Sequence, residues 1–138
     1  MRCFALGYES FVMIDALFNQ NGYLAAKKML DATAVRQDAI ASNIANVETP
    51  GYKRLDLAPT FEAQLQQAVN GGDANQLRSL QPRLAQDAKA LSNRLDGNTV
   101  QLETELLHQN QNFVAHSLET QLITGSLLKL RLAITGHA

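Results

Sequence analysis

The side chains with which this chain could do chemistry are three histidines, a serine beside one of them, a pair of nearby glutamates and a lone thiol. The spacing of each argues against a catalytic or metal site. His108 and His116 stand eight residues apart, whereas a helical zinc site takes its two histidines at i and i+4 on one face. His137 lies in the tail. Ser117 follows His116 directly, and adjacent helical residues point in different directions, so no nucleophile–base dyad forms. Glu103 and Glu105 cannot clamp one substrate from successive helical positions; near a helix start they complement the positive end of its dipole. Gly71-Gly72 lacks the strand before it and the helix after it that a phosphate loop requires. The single cysteine, Cys3, allows neither an intramolecular disulfide nor a thiolate knuckle. These residues give no enzyme, no cofactor and no metal.

Amide chemistry remains. The chain holds twelve Gln and ten Asn beside only 18% charged residues, so much of its polar surface is uncharged and able to hydrogen-bond sideways. Asn43 and Asn46, next to Ser42, share one face of a helix end, three apart. Two readings stay open on spacing alone. The pair marks fraying before a proline stop, or its amides bond a packed neighbour and set register, as a buried Asn does in helical bundles.

The elements that carry these residues follow from composition and period. Twelve Lys+Arg against thirteen Asp+Glu leave a formal charge of −1, with no basic field for a nucleic acid or an anionic membrane. With 46% apolar residues, 6% aromatics and no Trp, 138 residues read as one mainly α unit. No run of 18 apolar residues exists to span a bilayer. Residues 1–13 match no period and precede a second possible start at Met13; the N-terminal stretch, broken by Glu9, Ser10 and Asp15, has no small-residue cleavage site, so no cleaved signal is expected.

From residue 23 to 47 a seam spaced three and four runs Tyr23, Ala26, Leu30, Thr33, Gln37, Ile40, Ile44, Val47, an amphipathic helix about 37 Å long. Pro50 pushes Thr49 out of the α region and Gly51 supplies the positive φ of a type II turn, so Thr49-Pro50-Gly51-Tyr52 reverses the chain. An extended segment to Leu57 and a short helix from Pro59 that fades by Val69 follow. Residues 70–98 are poor in apolar side chains and read as loop-like or mobile. Leu95-Asp96-Gly97-Asn98 is a turn, with Asn98 as N-cap and Gln101 as capping-box partner of a second long helix. That helix carries a second seam, Leu102, Leu106, Gln109, Phe113, His116, Thr120, Ile123, Leu127, Leu130, Ile134.

The division is therefore 1–13, an extension; 14–49, an N-terminal core helix; 50–97, turn, extended segment, short helix and flexible middle; 98–138, a C-terminal core helix. The fold class is mainly α, with the two terminal helices packing as a coiled-coil-like bundle and a small irregular or β-like middle. Leu30, Ile40, Ile44 and Val47 are expected to pack against Leu106, Phe113, Ile123, Leu127 and Leu130, within one subunit or between neighbours. Two helices alone bury too little to offset about 1–2 kcal/mol of backbone entropy per residue, so further cover must come from other copies or other proteins.

The segment Ser42-Asn43-Ile44-Ala45-Asn46-Val47-Glu48-Thr49-Pro50-Gly51-Tyr52-Lys53 resembles the N-terminal signature of the bacterial flagellar axial proteins, in which a helix with N-x-x-N runs into T-P-G-Y. Arg94-Leu95-Asp96-Gly97-Asn98-Thr99-Val100 is similar to the R-L-D-G-N-x-V block of the basal-body rod members of that group, and the likeness is strongest to its proximal-rod proteins. It covers most of residues 14–135 and leaves out the first twelve, which supports Met13 as the start; Gln101 departs from the pattern and touches only the capping. The resemblance implies a structural subunit, exported by the flagellar type III apparatus without a cleaved signal and polymerising through its terminal helices in the periplasmic rod. Its partners are then copies of itself, other rod proteins, and the export gate or an adjoining basal-body protein. The rival from another class is a cytosolic helical adaptor or export chaperone that uses the same helices to hold a partner; it stays a soluble dimer and never joins basal bodies.

Overall fold

The computed structural model describes residues 20–136 apart from Asn93. The expectations on residues 1–13, Cys3, the Met13 start and His137 lie outside the described residues.

The first seam becomes helix α1, Asn21–Ala45, and its apolar stripe is the one buried: Leu24, Ala26, Ala32, Ala39 and Ile40, with Thr33 and Asn43 among them. Helical geometry ends two residues before the predicted Val47, because the chain tightens into successive turns. Gly51 then takes φ +71° and Tyr52 N donates to Thr49 O at 3.3 Å, the type II turn that Pro50-Gly51 demands. Strand β1, Leu55–Leu57, follows. Helix α2, Pro59–Gly71, starts on its proline and stops at Gly72, which adopts φ +67°.

Past Gly72 the structure departs from the expected loop. Asp73 accepts from Asn75 N and Gln76 N and so caps a short helix α3, Ala74–Ser79. Strand β2, Leu84–Gln86, pairs antiparallel with β1 in the register Leu55 with Gln86, Asp56 with Ala85 and Leu57 with Leu84. Leu77 and Leu80 are buried, and with Leu24, Ala32, Leu57, Phe61 and Ala68 they form the main core cluster. The stretch is poor in apolar residues, yet Leu77 of α3 and Leu80 just after it reach one core cluster, and aim rather than number decides whether it orders.

Helix α4, Leu102–Thr135, spans 34 residues, about 51 Å. Gln101 is its N-cap without a side-chain cap bond, so the predicted capping box does not form. Asn98 is engaged elsewhere. The helix lies antiparallel on α1, as the contacts of Glu105 with Asn43, Asn112 with Thr33 and Glu119 with Thr33 establish. Among the described residues the protein is mainly helical, with long helices at both ends and a small strand-bearing middle, the class expected.

Candidate functional site at the joint of the two long helices

Asn43 is fully buried in the last turns of α1, where a helix former would serve better unless the amide were needed. Its Nδ2 donates to Leu55 O at 2.8 Å and to Glu105 Oε2 at 3.1 Å, and its Oδ1 accepts from Leu55 N at 2.9 Å. One side chain thereby ties α1, β1 and α4 together. Of the two readings of this amide, the structure shows bonding to packed neighbours and not fraying. Asn46 acts more locally: Nδ2 donates to Ser42 O at 2.9 Å and Oδ1 accepts from Thr49 at 3.2 Å, steadying the turn. Tyr52 brings its hydroxyl back to Ser42 Oγ at 3.0 Å, closing the T-P-G-Y turn against the helix it left.

Beside Asn43 lies a buried ion network. Arg54, on the chain just before β1, is 5% exposed and Glu105 fully buried; Arg54 Nε donates to Glu105 Oε1 at 2.6 Å. The same guanidinium donates to Asp56 at 2.9 Å and Asp87 at 2.7 Å, while its backbone N–H donates to Thr99 Oγ1 at 2.8 Å. Burial works against the Arg54 charge, but the hydrogen bonds to Glu105 and Asp56 outweigh it and hold the guanidinium above its usual pKa. Burial likewise works against the Asp56 carboxylate; the Leu57 N–H, Arg54 and Arg36 overcome it and pull the carboxyl below its usual range. Glu105 therefore does not serve the helix dipole from the surface as expected. Glu103 is the exposed one.

Asn98, 1% exposed, is the third tie. Its Nδ2 donates to the carbonyls of Asn46, Val47 and Thr49 at 3.1, 3.0 and 2.8 Å, and its Oδ1 accepts from Val100 N at 2.7 Å. The amide gathers the carbonyls of the turn that follows α1 and holds that turn against the second motif. Asp96 and Gly97 build the loop that delivers it: Asp96 Oδ1 accepts from Asn98 N, and Gly97 has φ +75°. Gly51 N donates to Asp96 O at 2.9 Å, so the two motifs meet as one joint. Leu95 stands out from it, fully exposed.

Along α4 the face turned to α1 is polar. Glu105, Asn112 and Glu119, one heptad apart, are its buried side chains. Asn112 Nδ2 donates to Thr33 O and Gln37 Oε1, both at 3.0 Å, while its Oδ1 has no partner. Glu119 Oε2 accepts from Thr33 Oγ1 at 3.3 Å, and His116 Nδ1 lies 3.2 Å from that hydroxyl. Burial holds the Glu119 carboxyl above its usual range; the Thr33 hydrogen bond and His116 offset it only in part.

The predicted seam residues consequently divide. Ile40 is buried and Leu30 and Ile44 half-buried on α1, Val47 is half-buried in the turn after it, and Ile123 and Leu130 are half-buried on α4. Leu106, Phe113 and Leu127 face outward, 46%, 71% and 44% exposed. Within one subunit the two apolar seams do not meet along their length, because polar groups on α4 hydrogen-bond α1 in their place. Arg54, Glu105, Asn112 and Glu119 went unrecognised in the sequence. The seven-residue spacing of the last three was the available signal, hidden by a more apolar period beside it.

This architecture is that of a helical structural protein in which a polar joint sets two long helices and leaves one of them apolar on its free side. No helix among the described residues is long and apolar enough to cross a membrane. The family described as flagella basal body rod protein matches residues 29–53, the second half of α1 through the T-P-G-Y turn. The flagellar basal body rod protein FlgB of Borrelia hermsii is 32% identical over 116 residues, covering 70% of this chain and 83% of that protein. Those of Aquifex aeolicus, 30% identical over 117 residues with 81% and 91% covered, and Salmonella typhimurium, 32% over 122 residues with 75% and 84% covered, are similar. The chain belongs to the flagellar basal body rod protein family.

Proposed function

We propose that this chain is a structural subunit of the proximal rod, carried out of the cytoplasm by the flagellar type III apparatus, polymerising through its terminal helices and required for flagellar assembly and motility. It acts by assembly and not by catalysis. Its partners are copies of itself and other rod proteins, with the export gate or an adjoining basal-body protein at one end.

The observation that carries this reading is the outward seam of α4. Leu106, Phe113 and Leu127 stay exposed on a flank of α4 about 100° round from the face that Glu105 and Asn112 tie to α1. Turning α4 to hide the seam would break those buried hydrogen bonds, so cover comes more cheaply from outside.

The test is Phe113→Asp and Leu127→Asp, placed where the isolated subunit leaves the side chain in water. Both proteins are expected to melt like the parent by circular dichroism yet to be missing from purified basal bodies, with swimming lost. Normal motility in both variants overturns the proposal.

A further inference from the structure

Between α1 and α2 runs an open groove of about 540 Å³ whose apolar wall includes Met29, Leu57, Phe61, Leu65 and Val69, and Glu119 of α4 reaches into it. Met29 and Val69 are 45% and 39% exposed, so this wall is wet in the isolated subunit. Glu119, 6% exposed, is its buried carboxyl, offset only in part by His116 across the Thr33 hydroxyl. Its Oε2 has only the Thr33 hydroxyl, whose proton is better placed for Leu30 O at 2.8 Å, and Oε1 has no donor among the described residues. The cation facing it from α1, Arg36, is committed to Asp56 at 3.0 Å and Glu62 at 3.5 Å. The groove is shaped for apolar side chains that arrive with a cation.

The far end of α4 offers that combination. From residue 120 to 135 the chain has no acidic residue and two cations, Lys129 and Arg131. Arg131 and Leu132 follow Leu128 by three and four residues, so the three lie on one side of the helix, with Leu128 and Leu132 57% and 47% exposed. Arg131 cannot reach the Glu119 of its own helix, which lies twelve residues back, about 18 Å along the axis. Groove and tip must belong to different molecules.

We propose that the C-terminal turns of α4 from a neighbouring copy of this chain dock in this groove, Leu128 and Leu132 covering Met29, Leu65 and Val69 while Arg131 pairs with Glu119. The inference rests on the rod-subunit reading above and adds the site of contact. A planar guanidinium can engage both carboxylate oxygens, which fits Arg131 for the task better than Lys129. A tip-to-groove contact is heterologous, so a docked pair keeps one free groove and one free tip, and the same contact can add further copies.

The test uses full-length chains with Cys3→Ser in cells that lack the unsubstituted protein. Val69→Cys in one tagged copy and Leu132→Cys in another are expected to give a disulfide-linked pair carrying both tags in purified basal bodies. Arg131→Glu or Glu119→Arg alone is expected to cut incorporation by about tenfold, and the double charge exchange to restore it. Basal bodies that contain both cysteine copies without a cross-link, or a charge exchange that restores nothing, overturn the docking site and leave the rod reading standing. Absence of the unsubstituted protein from basal bodies overturns both.

Discussion

Replacing Arg54 by Met tests whether the joint is held by its buried charges. The substitution keeps most of the apolar volume and removes the cation that Glu105, Asp56 and Asp87 share. Asp56 retains Arg36 at 3.0 Å, and Asp87, about a quarter exposed, can turn to water. Glu105 has no such recourse, since its side chain is 0% exposed and only Asn43 Nδ2 would still donate to it. Breaking a buried pair from one side costs about 3–5 kcal/mol, against a total stability of about 5–15 kcal/mol. At about 3–6 °C per kcal/mol for a chain of this size, the melting midpoint should fall by about 9–30 °C. Adding Glu105→Leu removes the stranded charge and should recover at least half of the loss. Thermal and urea melts of the four proteins of this cycle give the coupling directly. A single variant within about 1 kcal/mol of the parent, or a double variant less stable than Arg54→Met, would refute the reasoning.

Three further outcomes follow from the same structure. Asn98→Ala strips its donor from the carbonyls of the turn after α1 and should cost about 2–3 kcal/mol in urea melts, and Asn98→Asp should not rescue it because a carboxylate cannot donate to carbonyls. Gly51→Val, at φ +71° with open space where its Cβ would go, should cost about 1–2 kcal/mol through the backbone alone and show as rod lost from basal bodies while secretion persists; Gly51→Asn should be tolerated. The two shifted carboxyls act on stability in opposite senses. Asp56, lowered by folding, contributes stability that is complete above its unfolded value near 3.8 and is lost as pH falls through its lower folded value. Glu119, raised by folding, favours the folded state below its unfolded value near 4.5 and loses that contribution as pH rises through the folded value. Glu119→Gln should therefore flatten the melting-midpoint curve on the alkaline side of pH 4.5, measured by circular dichroism, and leave the acid limb set by Asp56 in place.

The parts legible in the amino-acid order were those governed by neighbours in sequence. The three-four spacing from Tyr23 to Val47 located α1, Pro50-Gly51 located the type II turn, and Pro59 located the start of α2. The meeting of Asn43 with Glu105 and of Asn98 with Asn46, Val47 and Thr49 was not legible, because those partners lie about fifty or more residues apart and only folding brings them together. For α3 the misleading quantity was apolar content: Leu77 and Leu80 are few, but the helix that Asp73 caps carries Leu77, and with Leu80 directly after it both reach the core.

The chain alone determined that two long helices flank a turn-rich middle, since period, proline and glycine act through local backbone preference. Which face of α4 would lie against α1 was decided only in three dimensions. Its heptad of Glu105, Asn112 and Glu119 competes with a more apolar stripe, and the polar side turns inward where Arg54, Asn43 and Thr33 wait with donors. A carbonyl is bonded to Asn112 there as well. Hydrophobic burial has no direction and could have taken either face, whereas hydrogen bonds and ion pairs require a partner at a particular place, and only the assembled fold supplies it.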